Sequence, residues 1–187
     1  MELFSKLKKE ETKKDNEKVL YQDEHLSLID YEDWVVLKEK DGVICIPYLI
    51  ETNQIIVRQE YIPSYKYADG QEYHLALVGG GIEQGESPEM ALLRELQEEA
   101  GLVLRDNFKI EFMKPLFVSK HASSKWYPCI LTLTENDYHE IMVKGDGSKF
   151  ESMAQVAKVD VKYLKSLNAS DVITEYMLEM FKRYVNL

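Results

Sequence analysis

The segment GGGIEQGESPEMALLRELQEEAGL, from Gly79 to Leu102, gathers acidic side chains at a spacing suited to metal chemistry. On a helix from Pro88 to Ala100, Glu95 and Glu99 are i, i+4 neighbours on one face. Arg94 and Glu98 form a second row beside them, at the right separation for an ion pair. Leu92, Leu96 and Ala100, with Leu93 beside them, supply the apolar stripe that docks the helix. Two adjacent carboxylates with a third in reach are hard oxygen donors, the set preferred by Mg²⁺. Three glycines ahead of the helix let the backbone approach closely and turn a carbonyl inward, adding a ligand without a side chain in the way. The competing reading is an ordinary solvated Glu-rich helix.

A chain of 187 residues, 45% hydrophobic and 30% charged, has the length and composition of one globular domain with a real core. The net charge of −10 argues against a sequence-independent grip on nucleic acid. There are four arginines: Arg58, Arg94, Arg105 and Arg183. An acidic protein still binds a polyphosphate when divalent cations stand between the two sets of negative charge. Cys45 and Cys129 are the two cysteines, both in apolar runs, and read as reduced core thiols. No apolar run reaches membrane-spanning length, and the N-terminal residues lack the hydrophobic stretch of a signal peptide, so the expected compartment is the cytoplasm, with no membrane partner.

The frame for the acidic helix follows from the patterning. Residues 1–18, rich in Lys and Glu, read as a charged tail or frayed helix. Residues 19–40 hold the short runs VLY, LSLID and WVVLK between polar turns, a small antiparallel β extension. Residues 41–187 form the main domain. In it, VICIPYLI and IIVRQEYI make a hairpin across ETNQ, and Pro63 to Glu72 reads as a surface loop. HLALVGG is a strand running into the glycines. Ser87 caps the acidic helix, with Pro88 at its first position and Gly101 ending it. FKIEFMKPLFV, WYPCILTLT and AQVAKVDV follow as strands, and Asp171 to Tyr184 is an amphipathic helix. The sum is an α/β fold: a mixed sheet between helices, an α/β/α sandwich.

Gly80, five residues, Glu86, seven residues, Arg94-Glu95-Leu96, one residue, Glu98-Glu99, one residue, Gly101-Leu102: this run matches the Nudix hydrolase signature in full. The pattern also falls on strand, glycine loop, helix and loop, the context that such a motif requires. The chain therefore resembles that family. The resemblance implies hydrolysis of a nucleoside diphosphate linked to another moiety, with Mg²⁺ as cofactor and Mn²⁺ as a substitute. It assigns Glu95 and Glu99 to the metal, with Glu98 as a further ligand or the group that holds the water. Arg94 orients the carboxylates, and the backbone carbonyl of Gly79 joins the metal. A base outside the signature is usual in the ADP-ribose pyrophosphatase branch, and the loop KGDGSKFES offers Glu151, with Asp146 a weaker candidate.

Several stretches resemble that branch: IIVRQEYI, LVGGGIEQGE and the helix start Asp171-Val172-Ile173-Thr174. The N-terminal extension corresponds in position to the one these enzymes use to dimerise, so a homodimer is expected. Tyr31 or Trp34 then either stacks on an adenine or packs in a core or dimer interface. Arg58 either contacts a phosphate or closes a structural ion pair. His121 either bonds a phosphate or leaving group or lies in solvent. Two departures stand out: Tyr61 where the branch has a second Arg, and VSKHASSKWY where it has a Ser-Pro-Gly-like stretch. The expected substrate is ADP-ribose, split to AMP and ribose 5-phosphate. The alternatives are a nucleoside diphosphate sugar, a nucleoside triphosphate, a dinucleoside polyphosphate, or a nucleotide sensor without turnover.

Overall fold

The structure, a computed structural model, describes residues 17–105, 110–143 and 153–187. Three strands, β1 (Glu17–Gln22), β2 (Ser27–Tyr31) and β3 (Trp34–Lys38), pair in order as an antiparallel meander, as their short alternating runs predict. Two residues of the turn between β2 and β3, Glu32 and Asp33, carry positive φ, the backbone twist that a tight hairpin demands.

The main sheet is built on β4 (Gly42–Leu49), whose eight residues are almost all buried. Such a continuous apolar run is what a strand covered on both faces requires. Its side chains alternate between two cores. Val43, Cys45 and Leu49 point to one face, with Cys129, Leu131 and Leu133 of β10 (Lys125–Leu133), and meet Ala91, Leu92, Leu96 and Ala100 of helix α2 (Pro88–Ala100). Ile44 and Ile46 point to the other, with Ile55 and Val57 of β5 (Gln54–Tyr61), and meet Met177, Leu178 and Phe181 of helix α3 (Val172–Tyr184). A sheet lies between two helices, and the period of two along β4 is what binds the layers together.

Pairing within that sheet explains where a cleft opens. β4 and β10 run parallel along their full lengths, whereas β4 and β5 share only the pairs Tyr48–Ile55 and Leu49–Gln54 before they diverge. The gap is filled by one returning segment. β6 (Tyr73–Ala76) pairs with β5, and β7 (Val78–Gly81) pairs with β4, with buried Leu77 between them as the point of transfer. The expected single strand HLALVGG is therefore two. On the far side β12 (Gln155–Asp160) closes β5, and a 3-10 helix, Val161–Ser166, leads towards α3.

Other expectations need correction. Pro63 to Asp69 is a helix, α1, with Pro at its start and Gly70 in the left-handed conformation at its end; it buries no residue, so it carries no apolar periodicity to betray it. Among the described residues of FKIEFMKPLFV, only β9 (Leu116–Phe117) is a strand. Residues 110–115 cross the sheet irregularly, tucking Ile110 and Phe112 into one core and Met113 into the other. Leu93 is largely exposed, and Ala91 takes its expected place in the buried stripe of α2. Two short strands, β8 (Leu102–Leu104) and β11 (Tyr138–Glu140), form a separate antiparallel pair below α2.

Candidate active site

Helix α2 begins and ends where its sequence demands. Ser87 accepts a hydrogen bond from the Met90 amide (3.2 Å), Pro88 occupies the first turn, and Gly101 closes the helix at φ 65°. At Gly101 a side chain would also run into the Ile141 carbonyl. These fixed ends set the rotation of the helix. Its apolar stripe faces β4 and β10, and the neighbouring face brings Glu95 and Glu99 up against the glycines of β7.

Both carboxylates are about 5% exposed. An ionised carboxylate is buried only when cations or N–H donors compensate it. Three donors do so. The Gly79 amide donates to Glu99 Oε2 at 2.8 Å, Arg58 pairs through Nη1 with Glu99 Oε1, and Arg94 Nη1 donates to Glu95 Oε1 at 2.7 Å. Arg58 also reaches Glu60 at 2.5 Å, is itself 4% exposed, and among the described residues leaves its Nε buried without a hydrogen-bond partner.

Arg94 organises the mouth of the cleft. Its Nε and Nη2 take both oxygens of Glu86 (3.0 and 3.1 Å), Nη2 also reaches the Gly81 carbonyl (2.8 Å), and Nη1 spans to Glu98 (3.2 Å). The hydrogen bonds from Arg94 and from the Glu83 amide hold the Glu86 carboxyl below the usual carboxylate range. The carboxylates around Arg94, Glu86 foremost, push its own pKa upward, so its charge is permanent. One arginine thus ties the glycine loop to three acids of the signature.

The cleft that these groups line has a volume of about 380 Å³ and takes further walls from Glu39, Lys40 and Trp126. Close approach at the glycines is what shapes it. A Cβ on Gly79 would overlap the Val43 carbonyl, and one on Gly80 would occupy the space of the Glu95 carboxyl. The Glu95 head therefore lies where any other residue at position 80 would put its side chain.

Of the residues singled out by sequence, Gly79, Arg94, Glu95, Glu98 and Glu99 converge on this cleft. Arg58 lies buried beside Glu99 in an ion pair and does not line the cleft. Trp34 and His121 stack on each other instead (4.6 Å between ring centres, 6° apart), and His121 Nδ1 bonds the Val35 carbonyl at 3.0 Å. That pair fastens the N-terminal sheet to the loop before β10. Within one chain, neither they nor Tyr31 line the cleft. Glu151 and Asp146 lie outside the described residues. Sequence reasoning overlooked His25, Glu39, Lys40 and Trp126; the first three lie in connections outside the strands, and Trp126, which opens the run WYPCILTLT, is placed by its pairing opposite Gly42.

Among the described residues no three His, Cys, Asp or Glu side chains already converge on a single point as ligands. The acids face arginines. Their chemistry still fits a hard divalent cation: Glu95, Glu98 and Glu99 offer oxygens from adjacent turns of one helix, and the side-chain-free edge at Gly79 and Gly80 leaves the backbone open beside them.

Comparison with known proteins gives the same frame. A solved structure described as the crystal structure of an ADP compounds hydrolase superposes with a TM-score of 0.64, covering 91% of this chain and 95% of its own at 17% identity, which establishes a shared fold. No curated protein sequence matches the chain. The family model of the NUDIX domain matches residues 38–169, a span that begins at the end of β3 and carries the glycine edge, the acidic helix and both halves of the splayed sheet. The chain belongs to the Nudix hydrolase family.

Proposed function

We propose that the protein hydrolyses the diphosphate of ADP-ribose to AMP and ribose 5-phosphate, with Mg²⁺ held by Glu95, Glu98, Glu99 and the Gly79 carbonyl, and with Mn²⁺ as a substitute. The observation that carries this reading is the buried Glu95–Glu99 pair facing a polar cleft while each acid is matched to an arginine. The name of the structurally similar ADP compounds hydrolase favours an ADP-linked substrate. When bound, the cation supplies charge neutralisation of the diphosphate and Lewis acidity at phosphorus. Among the protein's own groups, Arg94 keeps Glu95 and Glu98 in register through bonds at 2.7 and 3.2 Å. Glu98, the most exposed of the three helix acids, orients a water towards the bound phosphate. Glu151 is the proposed proton acceptor. Water adds to one phosphorus, the bridging oxygen leaves with the other, and two monophosphates result.

Arg58 has a distinct task in this scheme: its charge keeps Glu99 buried while no metal is bound. The N-terminal sheet leaves Val19, Leu20, Tyr21, Trp34 and Val35 exposed, divided between its two faces, and this sheet is proposed as the element through which two copies pair in the cytoplasm.

Three outcomes follow. With Mg²⁺ and a panel of nucleotides, product analysis should show AMP and ribose 5-phosphate from ADP-ribose, and Glu99→Gln should lower kcat by two or more orders of magnitude with the fold intact; free pyrophosphate from a nucleoside triphosphate as the main product would redirect the substrate, and full turnover by the variant would refute the site. Arg58→Met should lose about 3–5 kcal/mol of stability without metal and gain a larger thermal shift from Mg²⁺ than the wild type; equal stability without metal contradicts its role. Sedimentation velocity should give a dimer, which Val19→Glu together with Val35→Glu converts to monomer; a wild-type monomer at micromolar concentration removes the pairing face.

A further inference from the structure

A second chamber of about 370 Å³ adjoins the acidic cleft, and the two share Glu39, Gly79 and Trp126 as walls. Its chemistry is different. Ile44, Ile62, Leu77, Val118, Val172 and Ile173 supply apolar surface, and among the described residues no Lys or Arg lines it. A space without cations next to a cleft built for phosphate suits the uncharged part of a substrate and repels its phosphates.

The wall between the two is the indole of Trp126. It lies flat against Gly42, where a Cβ would come within 2.9 Å of the ring, so the glycine is what lets the indole occupy that position. Parallel pairing of β10 with β4 fixes the register of Trp126 opposite Gly42. At the rim stand three carboxylates, each fixed by a partner of its own. Glu39 accepts from Ser124 Oγ (2.8 Å), Glu60 is held by Arg58 (2.5 Å), and Asp171 caps α3 by accepting from the Ile173 and Thr174 amides (3.0 and 2.8 Å). Tyr65 completes the rim. His74 meets its ring edge-on at 5.0 Å and bonds Ser170 Oγ at 2.7 Å. Burial, with Asp171 and Glu60 nearby, raises the Tyr65 phenol pKa, so it stays a hydroxyl donor.

Resting on the hydrolase reading, we infer that this second chamber receives the nucleobase of the substrate, stacked on Trp126 with an amino-bearing edge turned to the rim carboxylates. A base has the π face that an indole platform rewards, and a sugar has none. Carboxylates only accept hydrogen bonds, so they select a donor edge such as the exocyclic amine of adenine. The nucleotide then crosses Trp126, its diphosphate beside Glu95 and Glu99. This moves the aromatic platform from Tyr31 and Trp34, which line neither chamber, to a residue of the central sheet.

The chain holds two tryptophans, so Trp34→Phe leaves Trp126 as the single indole reporter. Titrated with AMP in EDTA, that variant should show saturable quenching of its emission, with none from ribose 5-phosphate at the same concentration. Purine riboside 5′-monophosphate, which lacks the amine and puts no donor in its place, should bind about tenfold more weakly. In steady state with ADP-ribose and Mg²⁺, Trp126→Leu should raise KM about tenfold with a smaller change in kcat, and Trp126→Phe should recover most of that loss. Equal quenching by ribose 5-phosphate would overturn the assignment, and so would purine riboside 5′-monophosphate binding as tightly as AMP. Absent quenching by AMP while ADP-ribose is still hydrolysed would overturn it and leave the hydrolase reading standing. Absent quenching together with absent hydrolysis of every nucleotide tested would overturn both.

Discussion

Burying two carboxylates side by side on one helix is the constraint around which this molecule is arranged. Glu95 and Glu99 are each about 5% exposed and lie one turn apart, a placement that without compensation would expel the helix from the sheet. Compensation comes from three directions: Arg58 on β5, the Gly79 amide on β7, and Arg94 on the helix itself. Each of these is in reach only because another part of the fold puts it there. Arg58 stands opposite Ala76 where β6 has taken over the pairing of β5, and Gly79 stands opposite Ile44 where β7 has taken over that of β4. The divergence of β4 from β5 is thus the structural counterpart of the acid pair, since it admits the strand edge that holds Glu99.

The same divergence separates two kinds of space. On one side the glycine edge keeps side chains away from Glu95, so the cleft is polar and open to an anion accompanied by a cation. On the other, the residues that cover α3 and β6 are apolar, and the indole of Trp126 stands between. On the reading proposed above, an acidic protein takes a diphosphate into one compartment and keeps it out of the next. Arg94 links the arrangement to the loop by holding Glu86 and the Gly81 carbonyl together, so one side chain ties the glycine turn to the helix.

Much of this frame was legible in the residues, and the reasons are local. Ser87, Pro88 and Gly101 mark the ends of α2 by side-chain capping and backbone preference, and the i, i+4 placement of Glu95 and Glu99 follows from helix geometry alone. The unbroken apolar run of β4 announced a strand covered on both faces. What escaped was set by contacts distant in the chain. The break at Leu77 reflects a change of pairing partner, which no period along 73–81 records. α1 has no buried face and so shows no apolar rhythm. Leu93 lies outside the buried stripe and Ala91 inside it because the stripe's position depends on how α2 is rotated against the sheet. Trp126 gains its position from its parallel register with Gly42, and the pairing of Trp34 with His121 arises from an N-terminal sheet meeting a loop more than eighty residues away.

The central claim is that the arginines stand in for a divalent cation at Glu95 and Glu99. Anomalous diffraction from crystals soaked in Mn²⁺ tests it most directly. The account predicts a strong peak bounded by carboxylate oxygens of Glu95 and Glu99, with Arg58 drawn away from Glu99. A map with no peak beside those two residues, and with Arg58 still closed on Glu99 at saturating Mn²⁺, would contradict it.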